Sequence, residues 1–197
     1  MYLSIIQGIK YLLLIGIFGL STAIGFLISK SYQNRVVELK EFKTILNIMK
    51  TKIKFTYEPL AEIFKQIAKD NDTEIEKIFG QMANQLSYYQ VKEVWENCIQ
   101  DADISIKQED KDVLKKLGKL LGQTDVEGQI SEIEVTENFL NMQIENAEEE
   151  KKKNQKIYKT LGVVAGLVFV IILVWVWLIG FLHLGRMEIK DGYKFIV

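Results

Sequence analysis

The chain has 197 residues, a formal net charge of −1, one cysteine and one histidine. The near balance of charge excludes the basic excess that a nucleic-acid surface needs, and the lone Cys98 excludes an internal disulfide. With His183 the sole imidazole, neither a Cys/His zinc site nor a histidine-based catalytic unit can be assembled, and no P-loop is present to hydrolyse nucleotide. These exclusions point to a protein with no enzymatic activity, no cofactor and no small-molecule substrate.

Residues 1–10 are read as a short external segment. The run Tyr11–Ile28 (YLLLIGIFGLSTAIGFLI) then carries no charge over 18 residues. A bilayer core about 30 Å thick takes about 17–25 helical residues. Inside it each backbone polar group must be bonded within the segment, so 11–28 is a predicted transmembrane helix. A cleaved signal peptide is the competing reading. The apolar run exceeds the usual length of about 7–15 residues for such a peptide, and Lys30 and Arg35 follow it where small neutral residues would be expected.

Residues 29–160 form a segment of 132 residues, enough for one domain with a small core. Leu39, Phe42, Leu46, Met49 and Ile53 alternate by three and four, predicting a helix from about Tyr32 to Phe55. Pro59 suits the first turn of a second helix, where its missing N–H costs nothing; Leu60, Ile63, Phe64, Ile67 and Ala68 lie on its apolar face. After Asp70-Asn71-Asp72, Thr73 and Glu76 match a capping box that opens a third helix with Ile75, Ile78, Phe79, Met82, Ala83 and Leu86. Ser87 and Gln90 repeat the signal ahead of Val91, Val94, Trp95, Cys98 and Ile99, with Trp95 and Cys98 assigned to the core. A fifth helix carries Val113, Leu114, Leu117, Leu120 and Leu121 and is expected to stop near Gly122. A last helix begins near Asp125, includes Ile130, Ile133, Phe139, Leu140, Ile144 and Ala147, and continues through a lysine cluster.

That last helix enters a second uncharged run, Leu161–Leu182, whose 22 residues are ample for a second span. Trp175 and Trp177 suit an interfacial belt, and residues 183–197, beginning with His183, are read as a C-terminal tail. With no alternating segment of strand type, the fold class is all-α: an antiparallel bundle of about six helices flanked by two transmembrane helices.

Orientation follows the basic residues close to the membrane ends. Lys30, Arg35, Lys40, Lys43, Lys151, Lys152, Lys153, Lys156 and Lys159 flank the central segment, against Lys10, Arg186, Lys190 and Lys194 outside it. The central domain is therefore expected on the cytoplasmic side.

A family resemblance enters at LLGQTDVEGQ (Leu120–Gln129). Its leucine–glycine pair, polar turn ending in Asp125 and following Gln129 resemble the stage III sporulation protein AB family of endospore-forming bacteria. Further matches are GFLISKSYQNR (Gly25–Arg35), Glu58-Pro59-Leu60, and Asn154, Tyr158, Leu161, Gly162 and Gly166; together they cover residues 1 to about 174. Members of that family usually stop soon after the second span. This chain continues through Trp175–Val197, for which the resemblance implies nothing. It does imply a subunit of the channel-like complex between mother cell and forespore, set in the mother-cell membrane that surrounds the forespore. The soluble domain of the family is similar to those of the inner-membrane platform proteins of type II secretion and type IV pilus machines. By that implication the partners are a cytoplasmic sporulation ATPase (stage III sporulation protein AA), other membrane proteins of the same operon, and membrane lipid. The alternative is a two-span sensor or adaptor relaying motion through its long terminal helices.

Three groups of residues are candidates for interaction. Gln123, Asp125 and Gln129 sit in the turn before the last helix; Gly122 and Asp125 also fit helix-ending and N-capping roles, whereas Gln129 has no evident capping role. Glu148, Glu149 and Glu150 precede Lys151, Lys152 and Lys153, with which i,i+3 and i,i+4 pairs are expected. Ser21 with Gly25, and Gly162 with Gly166, fit the small-xxx-small pattern of helix packing in membranes.

Overall fold

A computed structural model describes residues 2–70 and 72–192, with side chains for 8–70 and 72–179. Its described residues form six helices and no strand: α1 (Tyr2–Phe55), α2 (Leu60–Ile67), α3 (Glu74–Gln85), α4 (Val91–Asp101), α5 (Gln108–Leu117) and α6 (Val126–Gly192). Helices α1 and α6, of 54 and 67 residues, each run without interruption from an apolar stretch into the amphipathic one. The described residues pack as two compact units, one within 1–29 and 154–197 and the other within 30–153.

Within Lys30–Lys153 the apolar stripes meet as their spacing dictates. Leu39, Phe42, Leu46 and Met49 of α1 are fully buried, together with Ile63 and Phe64 of α2, Phe79 and Met82 of α3, Trp95 and Ile99 of α4, Leu114 and Leu117 of α5, and Ile133 and Leu140 of α6. At the centre Phe79 stands edge-on to Phe64 and Trp95, with ring centroids 5.4 and 5.8 Å apart. Edge-to-face pairs of this kind add about 0.5–1.5 kcal/mol beyond the area they bury. The Trp95 indole nitrogen donates to the Leu114 carbonyl at 2.7 Å, so the largest core side chain leaves no polar atom unpaired. Cys98 is buried beside it, and burial first, then the charge of Asp101, pushes its thiol pKa up.

The helix starts divide into one that follows the sequence signal and one that does not. Thr73 accepts from the Glu76 N–H while Glu76 reaches back to the Thr73 N–H, completing the capping box. Ser87 starts nothing: Tyr88 and Tyr89 donate their N–H groups to the Gln85 carbonyl, closing α3, and α4 begins only at Val91. Helix α5 also stops short of Gly122, at Leu117. There the N–H groups of Gly118, Lys119 and Leu120 bond three residues back and tighten the chain into turns. Leu120 and Phe139, both among the apolar residues of these predicted helices, are 38% and 47% exposed. Phe139 stands about 100° around the helix from Leu140, which holds the core position.

Nothing beside Gly118 in the sequence marks it, because its reason is spatial. A Cβ there would lie 2.6 Å from Cδ1 and 2.8 Å from Cγ of the Trp95 ring. The ring is rigid, fully buried and fixed by its hydrogen bond, so it cannot yield cheaply. Gly118→Ala is expected to destabilise the full chain by about 1–3 kcal/mol through overpacking, outweighing the gain in helix propensity. A urea midpoint in mild detergent that is unchanged or raised would contradict this.

Candidate functional site

In the unit Met1–Ser29 with Asn154–Val197, the two apolar helices run antiparallel in a constant register. Each is long and apolar enough to cross a membrane. Lys10 Nζ lies 3.4 Å from the centroid of the Trp177 ring. A Cβ on Gly25 would stand 2.7 Å from the Gly162 Cα and 2.7 Å from the Tyr158 carbonyl oxygen, so the two backbones touch where any side chain would separate them. The Ser21 hydroxyl donates to the Gly162 carbonyl at 2.9 Å, and a Cβ on Gly166 would lie 3.3 Å from that of Ser21. All four residues of the two small-xxx-small patterns thus meet one another. Gly8, Gly16 and Gly19 face open space and take no part in the seam. His183 lies beyond the described side chains.

The turn from α5 to α6 is held from inside. Gly122 adopts φ +71°, the left-handed region that favours glycine. Asp125 Oδ1 accepts from the Gly128 N–H at 2.9 Å, capping α6. Gln129 Oε1 accepts from the Gly122 N–H and Gln129 Nε2 donates to the Thr124 carbonyl, both at 3.1 Å. The Gln129 amide, to which its position gives no evident capping role, is therefore a latch across the turn. Its value lies in fixing the left-handed glycine, which a motif search cannot see. Gln123 is exposed and lines an open groove of about 580 Å³ with Leu60, Leu86, Tyr89, Val91 and Leu121.

The glutamates of the acidic run pair differently from expectation. Glu148 binds Lys40, and Glu150 binds Arg35 at 2.8 Å and Lys107 at 2.6 Å, while Glu149 is exposed. Side chains on α1 and the start of α5 are within reach across the helix interface, and they displace the local pairs. The Lys40 contact, which joins two half-exposed side chains, contributes little.

Behind Glu150 lies a cluster absent from the sequence reading. Arg35, 3% exposed, donates from Nε and Nη2 to the two oxygens of Asp110 at 2.8 and 3.0 Å; Asp110 is fully buried. The Lys107 N–H also donates to Asp110 at 2.8 Å, and Gln143 stands 3.5 Å from Arg35 Nη2. Burial pulls the Arg35 pKa down, but Asp110 and Glu150 more than offset it and hold it above its ordinary value. The sequence did carry a signal. Arg35 continues the stripe of Leu39, Phe42 and Leu46 by one step, and Asp110 stands four and seven residues before Leu114 and Leu117. No group of histidine, cysteine and carboxylate side chains among the described residues is arranged to hold a metal ion. The geometry offers surfaces, seams and a buried brace.

Comparison with known proteins matches the family model described as stage III sporulation protein AB to residues 10–174. The chain belongs to the stage III sporulation protein AB family. It is 28% identical to the stage III sporulation protein AB of Bacillus subtilis (strain 168) over 157 residues, which cover 78% of this chain and 92% of that protein. A solved structure of stage III sporulation protein AB (SpoIIIAB) shares the fold with a TM-score of 0.57 and 23% identity, covering 61% of this chain and 98% of its own. The turn Leu120–Gln129 and the seam at Gly25 and Gly162 both fall inside the family match.

The seam predicts a cross-link. In a Cys98→Ser background, Ser21→Cys with Gly166→Cys should form an intramolecular disulfide on mild oxidation of membranes, since the Cβ separation is close to the roughly 3.5–4.5 Å that disulfides need. Adding Gly162→Leu should abolish it, whereas Gly16→Cys with Gly166→Cys should not link. Linking that survives Gly162→Leu would contradict the packing.

Proposed function

We propose that this member of the family is a non-enzymatic platform subunit of the channel complex between mother cell and forespore. In this reading two membrane helices hold the bundle in the mother-cell cytoplasm, where it gives a sporulation ATPase a fixed footing and joins it to membrane proteins of the same operon. The observation that carries the proposal is the continuity of α1 and α6, each a single helix from an apolar stretch into a closed, aromatic-filled bundle. A rigid soluble body anchored at both its ends suits a part that must bear a load without turning over substrate. The excess of lysine and arginine at the inner flanks supports the cytoplasmic placement.

The same continuity favours a second reading, a two-span adaptor that passes motion along its terminal helices. The two are separated by what the protein retains. After gentle solubilisation of sporulating cells, a platform keeps the ATPase and the operon's membrane proteins, and an adaptor keeps a signalling protein instead. In sealed protoplasts, protease added outside should leave residues 29–160 intact. Digestion of that segment, or a preparation that never retains the ATPase, would contradict the platform.

A further inference from the structure

Helix α6 has a second face that the bundle does not use. Val135, Phe139 and Met142 recur at i, i+4 and i+7 and are 44%, 47% and 60% exposed, on the side of the helix away from Ile133, Leu140 and Ile144. Ser131, Asn138 and Asn146 extend this strip, so about four turns of the outward face carry no charge. Every charged residue of α6 from Val126 to Glu150 is a glutamate. Some of these are occupied: Glu137 and Glu134 by Lys50, Glu148 by Lys40, and Glu150 by Arg35 and Lys107. Glu127, Glu132 and Glu145 edge the uncharged strip, Glu149 closes its end seven residues after Met142, and none of the four forms an ion pair among the described residues. One cation leans over the strip from α5, with Lys116 Nζ 5.9 Å from the centre of the Phe139 ring.

We infer that this strip is a docking surface for a helix of a cytoplasmic partner whose apolar ridge is edged by lysine or arginine. The spacing of Val135, Phe139 and Met142 is that of anchors for a helix laid along a helix. The charge pattern selects the occupant. A second copy would bring glutamate edges against glutamate edges, which repel, whereas a basic-edged ridge finds an opposite charge on both sides of the apolar contact. The inference rests on the platform reading only in taking the bundle to be exposed to cytoplasmic proteins.

The test uses two synthetic helical peptides with the same leucine ridge, one edged with lysine and its twin edged with glutamate. Each is titrated into the full chain in mild detergent and into Phe139→Asn/Met142→Asn, with the difference between chains cancelling binding to detergent. Both substituted side chains are half exposed, and circular dichroism checks that the variant melts as the parent does. The lysine peptide should bind the parent chain about tenfold more tightly than the variant, with Glu132→Gln/Glu145→Gln also weakening it, and the twin should show no such difference. Equal binding of the lysine peptide to both chains, or an equal effect for the twin, would overturn the proposal. So would disulfide-linked dimers of Met142→Cys in a Cys98→Ser background, since the strip would then belong to a second copy. Failure of the parent chain to retain the ATPase in cells would instead overturn the platform reading and leave the peptide result standing, so the two failures are distinguishable.

Discussion

A guanidinium shut away from water has to find its acceptors inside the protein, and in the bundle that requirement falls on Arg35. Two of its nitrogens are taken by Asp110 and a third by Glu150, which draws together α1, the first turn of α5 and α6. Such a pair is a weak source of net stability, because desolvating both charges offsets most of their attraction. Its power is directional. Leu114 and Leu117 would pack against an apolar face at several angles, but the planar fork of Arg35 donates to both oxygens of the Asp110 carboxylate in one arrangement. Asp110 also holds the Lys107 N–H, so the start of α5 is set by the same carboxylate. From that fixed start α5 carries Leu114 under the Trp95 indole and Gly118 against its ring.

Between Ser21–Gly25 and Gly162–Gly166 no charged residue lies in the seam, and close contact does the work instead. Hydrocarbon tails are as apolar as leucine, so helices associate there only where they pack better with each other than with lipid. Gly25 and Gly162 allow backbone-to-backbone contact, and Ser21 adds a hydrogen bond to a carbonyl that lipid cannot offer. The two units therefore secure their geometry by opposite means, one by a charge that must be answered and the other by the removal of side chains.

Much of this was legible from spacing. The apolar stripes placed Phe42, Phe64, Phe79 and Trp95 in one core, the Thr73–Glu76 box gave the start of α3, and the uncharged runs gave the apolar ends. Ser87 misled because a capping pattern is local, and the preceding helix used Tyr88 and Tyr89, which lie inside that pattern, to end itself. Arg35 and Asp110 escaped because a charged residue is read as surface unless its partner is known, and the partner lies 75 residues away. Gln129 and Gly118 escaped for a related reason: their worth comes from a left-handed glycine and from an indole ring, neither of which is written beside them. Periodicity reports burial well, but it is silent on which distant group satisfies which.

The claim that the Arg35–Asp110 pair sets the geometry of the bundle is tested most directly by a double-substitution cycle, Arg35→Met and Asp110→Leu, on the unfolding of the full chain. Each single change takes a buried charge's main partner away and should cost about 3–5 kcal/mol. The double change removes both charges and should cost less than either single one, while the melt broadens as α5 loses its fixed seat. Single costs that simply add, with the sharp transition kept, would contradict the account.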